Sequence, residues 1–134
     1  MVQTRTRPLS PHLQIWKWGP HMLVSILHRM TGVGLATVGV AAFTWWLVSL
    51  AAGEAAYNQF LAVARHPLAL IVPIGLTWAF FQHMSTGIRH WFLDIGANYE
   101  LKANKGSSMG TMVASVLLTA AVWGLILFGK GLAL

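Results

Sequence analysis

The sequence contains no cysteine, and only 3 of its 134 residues are acidic. Without cysteine, the chain itself forms no disulfide, no thiolate metal site and no cysteine-held iron–sulfur cluster. Charged residues of both signs make up 9% of the chain, whereas a soluble domain carries about 25%. Because so few charges cannot cover the surface of a soluble protein of this size, lipid must cover part of this one.

Hydrophobic residues make up 56% of the chain and are concentrated in three uncharged runs. The runs are 24, 23 and 24 residues long, at 30–53, 66–88 and 106–129. A helix crosses the hydrocarbon of a bilayer in about 20 residues, at about 1.5 Å each. The sequence therefore predicts an all-α membrane protein with three transmembrane helices. The predicted helices run from about 21–50, about 67–94 and about 109–128.

Lys and Arg are distributed unequally between the two sides of the predicted helices. The side of the amino terminus has the larger number, and the opposite side has only Arg65 and Lys130. This excess predicts that the amino terminus faces the inside of the cell. Residues 1–20 then form a cytoplasmic or interfacial segment of a single membrane-anchor domain, 1–134. The net charge of +6 is explained by this orientation, and no nucleic-acid partner is expected.

A stripe of polar residues follows one face of the second predicted helix. With His83 set at zero, Gly87 falls at about 40°, His90 at about −20° and Asp94 at about 20°. His83 lies well inside an uncharged run, where a neutral imidazole is a good axial ligand for haem iron. His90 is closer to the surface and could meet a haem propionate. An interhelical hydrogen bond by His83, and a cytoplasmic helix end at Arg89, His90 and Asp94, are the alternatives.

The first predicted helix has a second polar face. Ser25 and Arg29 are four residues apart, so both side chains can reach one ligand. A hydroxyl beside a guanidinium suits a quinone carbonyl, whose oxygen gains negative charge on reduction. Gly32 continues this face and lets a helix or cofactor approach closely. For Arg29 and the adjacent His28, the alternative is a cation that extends to the membrane surface.

Three stretches carry a resemblance to a known family. They are Arg7–Leu13 before the first helix, Ser25–Gly32 within it, and His83 followed by Gly87–His90 and Asp94. In these stretches, and along essentially the whole chain, the sequence resembles the cytochrome b556 subunits of succinate dehydrogenase. These are the larger membrane anchors of respiratory complex II.

The resemblance implies a set of site residues and partners. His83 is implied as an axial ligand of haem b, with the second axial histidine supplied by a smaller anchor subunit. Ser25 and Arg29 are implied as quinone-binding residues, and His28, Arg29 and His90 as neighbours of the haem propionates. The implied partners are the small anchor, an iron–sulfur subunit and a flavoprotein subunit, with which the chain forms a heteromeric helical bundle in the lipid bilayer.

We therefore expect a non-flavin membrane subunit of succinate:ubiquinone oxidoreductase, which is not an enzyme on its own. It would sit in a bacterial inner membrane, rather than a mitochondrial one, as a multi-pass protein. Asp94 is a candidate proton relay to ubiquinone, or the partner of a cation. Two other functions stay open: an anchor of fumarate reductase, and a haem-free scaffold or transporter subunit whose polar stripe serves helix packing.

Overall fold

The structure is a computed structural model, and it describes residues 17–129. Residues 1–16 of the predicted interfacial segment 1–20 lie outside the described residues, and so does Lys130. Within the described range the fold is entirely helical. The helices are α1 (Pro20–Ala51), α2 (Glu54–Ala64), α3 (Pro67–Asp94) and α4 (Leu101–Phe128). Three of them, α1, α3 and α4, are long and apolar enough to cross a membrane, which confirms the predicted all-α architecture with three spans.

Helix α1 begins at Pro20, whose fixed φ suits the first turn of a helix. One wide, π-helical stretch, Leu35–Gly39, interrupts it near the middle. After α1 the chain turns at Gly53, whose φ of 99° favours glycine. The turn leads into α2, which packs its one half-buried face on the second half of α1. The sequence did not predict this helix, because it is short and only one face is half-buried.

Helix α3 has clear signals at both ends. His66 precedes it in an extended conformation, and its Nδ1 accepts a hydrogen bond from the backbone N–H of Leu68. At the other end, Gly96 has a φ of 84°. The backbone N–H of Gly96 donates to the carbonyl of Leu93, and that of Ala97 to the carbonyl of Phe92. This pair of hydrogen bonds ends the helix, and the chain then turns toward α4.

Helix α4 begins at Leu101, about two turns before the predicted start near 109. The early turns are polar, with Lys102 and Lys105 exposed. Ser107 and Ser108 both donate to the backbone carbonyl of Asn104, so their hydroxyls are satisfied inside the helix. The uncharged run marks where the helix enters hydrocarbon and not where the helix begins, which is why the sequence placed this start too late.

The three long helices pack with polar side chains between them. α3 contacts both α1 and α4, and the first half of α1 also contacts α4. Among the described residues the buried apolar side chains are Val24 and Ala79. The buried polar or charged residues are more numerous: Thr31, Ser49, Gln82, Thr86, Arg89, Ser108, Thr111, Ser115 and Thr119. Small and polar residues between helices, with large apolar residues outside, are typical of helix packing in lipid.

Candidate functional site

The imidazole of His83 is bound by α1 at the contact between α1 and α3. Its Nδ1 lies 3.1 Å from the carbonyl oxygen of His28 and 3.3 Å from Oγ1 of Thr31. A carbonyl oxygen only accepts, so Nδ1 carries the proton and donates it. The Thr31 hydroxyl donates to the carbonyl of Leu27, at 2.7 Å, which leaves its oxygen free to accept. The lone pair of His83 is therefore on Nε2, which makes no hydrogen bond within residues 17–129.

Three histidines gather at this contact. The rings of His28 and His83 stack, with centroids 3.9 Å apart and planes within 8°. The ring of His90 is tilted by 54° to that of His28, at a centroid distance of 5.2 Å. Nδ1 of His28 is buried and has no hydrogen-bond partner in the part of the chain that the structure describes. The sequence predicted His83 and His90 on one stripe, and the structure adds His28 from α1 to the same cluster.

Glycine makes room for the His83 ring. A Cβ added to Gly32 would lie 2.9 Å from Cε1 and 3.3 Å from Nδ1 of His83. The imidazole of His83 therefore packs directly against the backbone of α1 at Gly32. A Cβ added to Gly87, one turn along α3, would meet nothing within 4 Å. The side of α3 at Gly87 is therefore open, on the same stripe as His83.

The other predicted site residues lie around this cluster and are exposed. Ser25 and Arg29 are exposed on α1, on either side of the half-buried His28, and Asp94 is exposed at the end of α3, one turn beyond His90 of the cluster. Ser25, Arg29 and Asp94 form no side-chain hydrogen bond or ion pair with any other described residue. The structure thus brings the three histidines together and leaves the hydroxyl, the guanidinium and the carboxylate available to groups outside this chain.

The donor set restricts the kind of metal centre that could form here. No group of three or more His, Asp or Glu side chains in the described range could hold a bare metal ion. A haem iron differs, because the porphyrin supplies its equatorial ligands and the protein adds only axial ones. A single imidazole with Nδ1 donating to a backbone carbonyl, as at His83, has the tautomer that metal-binding histidines adopt.

A buried polar network, which was not predicted from the sequence, joins α3 to α4 next to His83. Gln82 is fully buried; its Nε2 donates to Oγ1 of Thr86 at 3.1 Å. Its Oε1 accepts from the hydroxyl of Ser115 on α4 at 2.7 Å. This network holds α3 against α4, and so determines which face of α3 His83 presents to α1. The signal was present, because Gln82 and Thr86 are spaced four apart within an uncharged run.

A cytoplasmic helix end was one interpretation of Arg89 from the sequence, but the structure buries this residue between α3 and α4. It is only 7% exposed. Its Nη2 donates to Oδ1 of Asn104 at 2.9 Å, and its Nε donates to the hydroxyl of Ser107 at 3.2 Å. Arg89 is therefore a part of the interface between these helices and does not belong to the histidine cluster.

These features define a helical membrane protein with three spans, in which one imidazole is fixed at a helix contact and its Nε2 lone pair is available. The family model described as Succinate dehydrogenase/Fumarate reductase transmembrane subunit matches residues 3–122, and the chain belongs to this family. The resemblance found in the sequence is therefore confirmed. Members of this family are membrane subunits of an enzyme complex. The expectation that this chain is a non-catalytic subunit is therefore also confirmed.

Individual relatives match over most of their length. The succinate dehydrogenase cytochrome b556 subunit of Rickettsia felis is 40% identical over 117 residues, which cover 87% of this chain and 90% of the relative. The subunit of the same name in Paracoccus denitrificans is 37% identical over 127 residues, 95% of each chain. The mitochondrial cytochrome b560 subunit of Bos taurus is 31% identical over 116 residues, 85% of this chain and 68% of the relative. The bacterial relatives and the three spans support a multi-pass protein of the bacterial inner membrane, as expected.

Proposed function

We propose that this chain is the membrane anchor of a succinate:ubiquinone oxidoreductase, in which it binds haem b and forms part of the quinone site. The observation that carries the proposal is the position of the proton and of the lone pair on the imidazole of His83. Its Nδ1–H is donated to the carbonyl of His28, so the Nε2 lone pair is available in a membrane-spanning helix. A polar group at such a position is costly unless it meets a partner or a bound group.

His83 would be one axial ligand of the haem, and a histidine of a smaller anchor subunit the other. When bound, the haem iron accepts and releases one electron. Gly32 lies against the imidazole, and the open side of α3 at Gly87 would leave room for the haem. His28 and His90 lie toward the end of the span, where with Arg29 they would donate to the propionates. Partly exposed imidazole and guanidinium groups suit that role, because both donate to carboxylates.

Ser25 and Arg29 would bind the quinone. Both are exposed on α1 and without a partner in the described part of the chain, so residues of other subunits can complete a pocket around them. The hydroxyl would donate to a quinone carbonyl. The guanidinium would stabilise the negative charge that the oxygen gains as electrons arrive through the iron–sulfur subunit from the flavoprotein. Asp94, exposed near the same end, would relay protons to that oxygen.

The same end of the bundle would face the inside of the cell and the soluble subunits. Lys102 and Lys105 are exposed at the start of α4, on the side where α1 begins and α3 ends. This agrees with the excess of Lys and Arg that marks cytoplasmic segments. The second half of α1 contacts α2 but not α4, and large apolar residues such as Phe43 and Trp45 are exposed there. A second anchor subunit would pack on such surfaces to complete a heteromeric bundle.

Two alternatives rest on specific observations. The family description covers fumarate reductase as well as succinate dehydrogenase, and the same anchor geometry serves both directions of electron flow. A haem-free scaffold is favoured by a different fact: the contact from Nδ1 of His83 to the carbonyl of His28 is itself a hydrogen bond between helices. Under that alternative the bond serves packing, and Nε2 has no ligand.

The test is the reduced-minus-oxidised spectrum of the complex purified in mild detergent, with its subunits identified. We expect a b-type spectrum for the wild type, and its loss or alteration in His83→Ala. His66→Asn is the control, because His66 is exposed at the start of α3 and Asn also caps helices. A wild-type spectrum in His83→Ala would dismiss it as a ligand. A colourless preparation with all subunits in fixed ratio would favour the haem-free scaffold.

A further inference from the structure

Arg89 is a buried cation without a buried counter-charge. Only 7% of the residue is exposed, and both of its hydrogen-bond partners, Asn104 and Ser107, are neutral. Neither an ion pair nor any further hydrogen bond involves it within residues 17–129, so Nη1 has no acceptor there. A guanidinium held inside a membrane bundle is costly unless an anion compensates it. The charge of Arg89 therefore calls for an anionic group from outside the described chain.

A cavity lies beside this guanidinium, between α3 and α4. Its volume is about 370 Å³. Arg89, Asn98 and Ser107 line it together with the smaller polar residues Ser85 and Thr111, and Ile88 and Phe92 form an apolar wall. Ile88 and Phe92 are 46% and 48% exposed, so this wall opens sideways on the surface that the bilayer covers. The cavity is thus lined by both polar and apolar side chains, and Arg89 is its one charged residue.

This cavity is separate from the histidine cluster. Phe92 is nine positions from His83, which places the two side chains roughly 180° apart around α3. The depth of the charge is also defined. Arg89 is five residues from the end of α3 at Asp94, a distance of roughly 7.5 Å along the helix. The guanidinium therefore lies within about two turns of the end of α3, on the side of the turn to α4.

We propose that this cavity binds one anionic phospholipid. Nη1 of Arg89 donates to the phosphate, with the side chains of Asn98 and Ser107 as further polar groups around it. An acyl chain lies along the apolar wall and past Gly110. A guanidinium N–H forms a charge-assisted hydrogen bond with a phosphate oxygen, and the negative charge of the lipid offsets the cost of the buried cation. The lipid would also join α3 to α4 at the end where the proposed quinone site lies.

A carboxylate from a partner subunit is the competing occupant, and the shape of the cavity disfavours it. A carboxylate needs only the polar side chains, and would leave the apolar wall formed by Ile88 and Phe92 without a contact. A phospholipid has both a charged group for Arg89 and an apolar part for this wall, and it is already present in the surrounding bilayer. The apolar wall opens toward that bilayer, so a lipid can enter sideways without separation of the helices.

Native mass spectrometry of the complex, delipidated in detergent and titrated with defined lipids, tests this proposal. The probes are dioleoyl phosphatidylglycerol, which is anionic, and dioleoyl phosphatidylcholine, which is zwitterionic. We expect the wild type to retain one phosphatidylglycerol in preference to phosphatidylcholine. Arg89→Gln should weaken that retention at least about tenfold, because a charged donor is lost. Lys102→Gln, an exposed cation at the same membrane level, should retain the lipid as the wild type does.

A second variant keeps the charge of Arg89 and blocks the path of the lipid acyl chain. A Cβ at Gly110 meets nothing within 4 Å, so Gly110→Leu should fold and fill the apolar part of the cavity. We expect it to weaken retention of phosphatidylglycerol with Arg89 intact. Equal retention in Arg89→Gln and wild type would overturn the proposal. So would displacement of the lipid by inorganic phosphate alone, or loss of a partner subunit from Arg89→Gln with the lipid count unchanged, which would identify a partner carboxylate as the occupant.

Discussion

His28 contacts His83 in two ways at once. Its carbonyl oxygen lies 3.1 Å from Nδ1 of His83, and its ring stacks on the His83 ring with centroids 3.9 Å apart. The hydrogen bond determines which nitrogen of His83 carries the proton, and the stack determines the plane of the ring. The packing of α1 on α3 therefore decides the direction of the Nε2 lone pair. Changes on α1 should be detectable in any ligand that His83 binds.

Gly32→Ala tests this dependence. The added methyl group would lie 2.9 Å from Cε1 of His83, whose ring is held at Nδ1 by the carbonyl oxygen of His28. We expect the imidazole to shift and the complex to lose about 1–3 kcal/mol of stability, which is typical of overpacking. Haem content and the position of the reduced absorption bands are the measurements. Gly34→Ala is the matched control, because a Cβ there meets nothing within 4 Å.

If Gly32→Ala and Gly34→Ala have the same haem spectrum and the same thermal stability, the His83 ring does not rest on Gly32. In that case α1 does not set its orientation. A change in stability without a change in spectrum would instead place His83 in the packing of the bundle and not at a haem.

The three spans could be predicted from the sequence because charge is excluded from hydrocarbon. The ends of the helices could not be predicted in the same way. α4 starts at Leu101, in a polar segment, because backbone hydrogen bonds continue a helix beyond the membrane core. α2 was missed because a short helix at a membrane surface needs only one apolar face and leaves no long uncharged run.

Helical periodicity predicted which site residues share a face of one helix, but not which residues meet across helices. It placed His83 and His90 on one stripe of α3. It could not place His28 against them, because that depends on the rotation of α1 relative to α3. The burial of Arg89 was missed for the same reason: its partners, Asn104 and Ser107, are on α4. A cation near the end of a span looks the same in sequence whether it faces water or another helix.

Gln82→Leu should destabilise the contact between α3 and α4. The substitution removes the acceptor of the Ser115 hydroxyl and the donor to Thr86, while the buried volume stays similar. We expect a loss of about 0.6–2 kcal/mol, the range for polar contacts between helices in a membrane. Thermal unfolding of the purified complex is the measurement. Gln59→Leu, at an exposed position of α2, is the control.

A double-mutant cycle with Ser115→Ala separates the hydrogen bond from the packing. Since the two residues share one bond of 2.7 Å, the effects of the single variants should not add in the double variant. Additive effects would mean that the bond between Gln82 and Ser115 does not couple the two helices.

Arg29→Gln should slow electron transfer to quinone by roughly 10- to 100-fold, because a charged donor to the carbonyl oxygen is lost. Reduction of a soluble dye by succinate should be unchanged, since that reaction does not need the quinone site. Arg29→Lys should restore part of the rate, as it keeps the charge but not the planar donor pair. Arg65→Gln, an exposed cation at the opposite end of the spans, is the control. A wild-type rate with quinone in Arg29→Gln would refute the proposed role.

Asp94→Asn distinguishes a proton relay from a structural ion pair. Asp94 is exposed near the proposed quinone site and forms no ion pair within the part of the chain that the structure describes. If its carboxylate passes protons to the reduced quinone, the amide should slow quinone reduction by about tenfold or more, with the haem spectrum and subunit composition unchanged. Asp94→Glu should recover much of the rate, and Glu100→Gln, an exposed acid in the same region, should have none of these effects. Loss of a subunit in Asp94→Asn, at an unchanged rate per intact complex, would instead assign Asp94 to a salt bridge with a partner, because a proton relay affects turnover and not assembly.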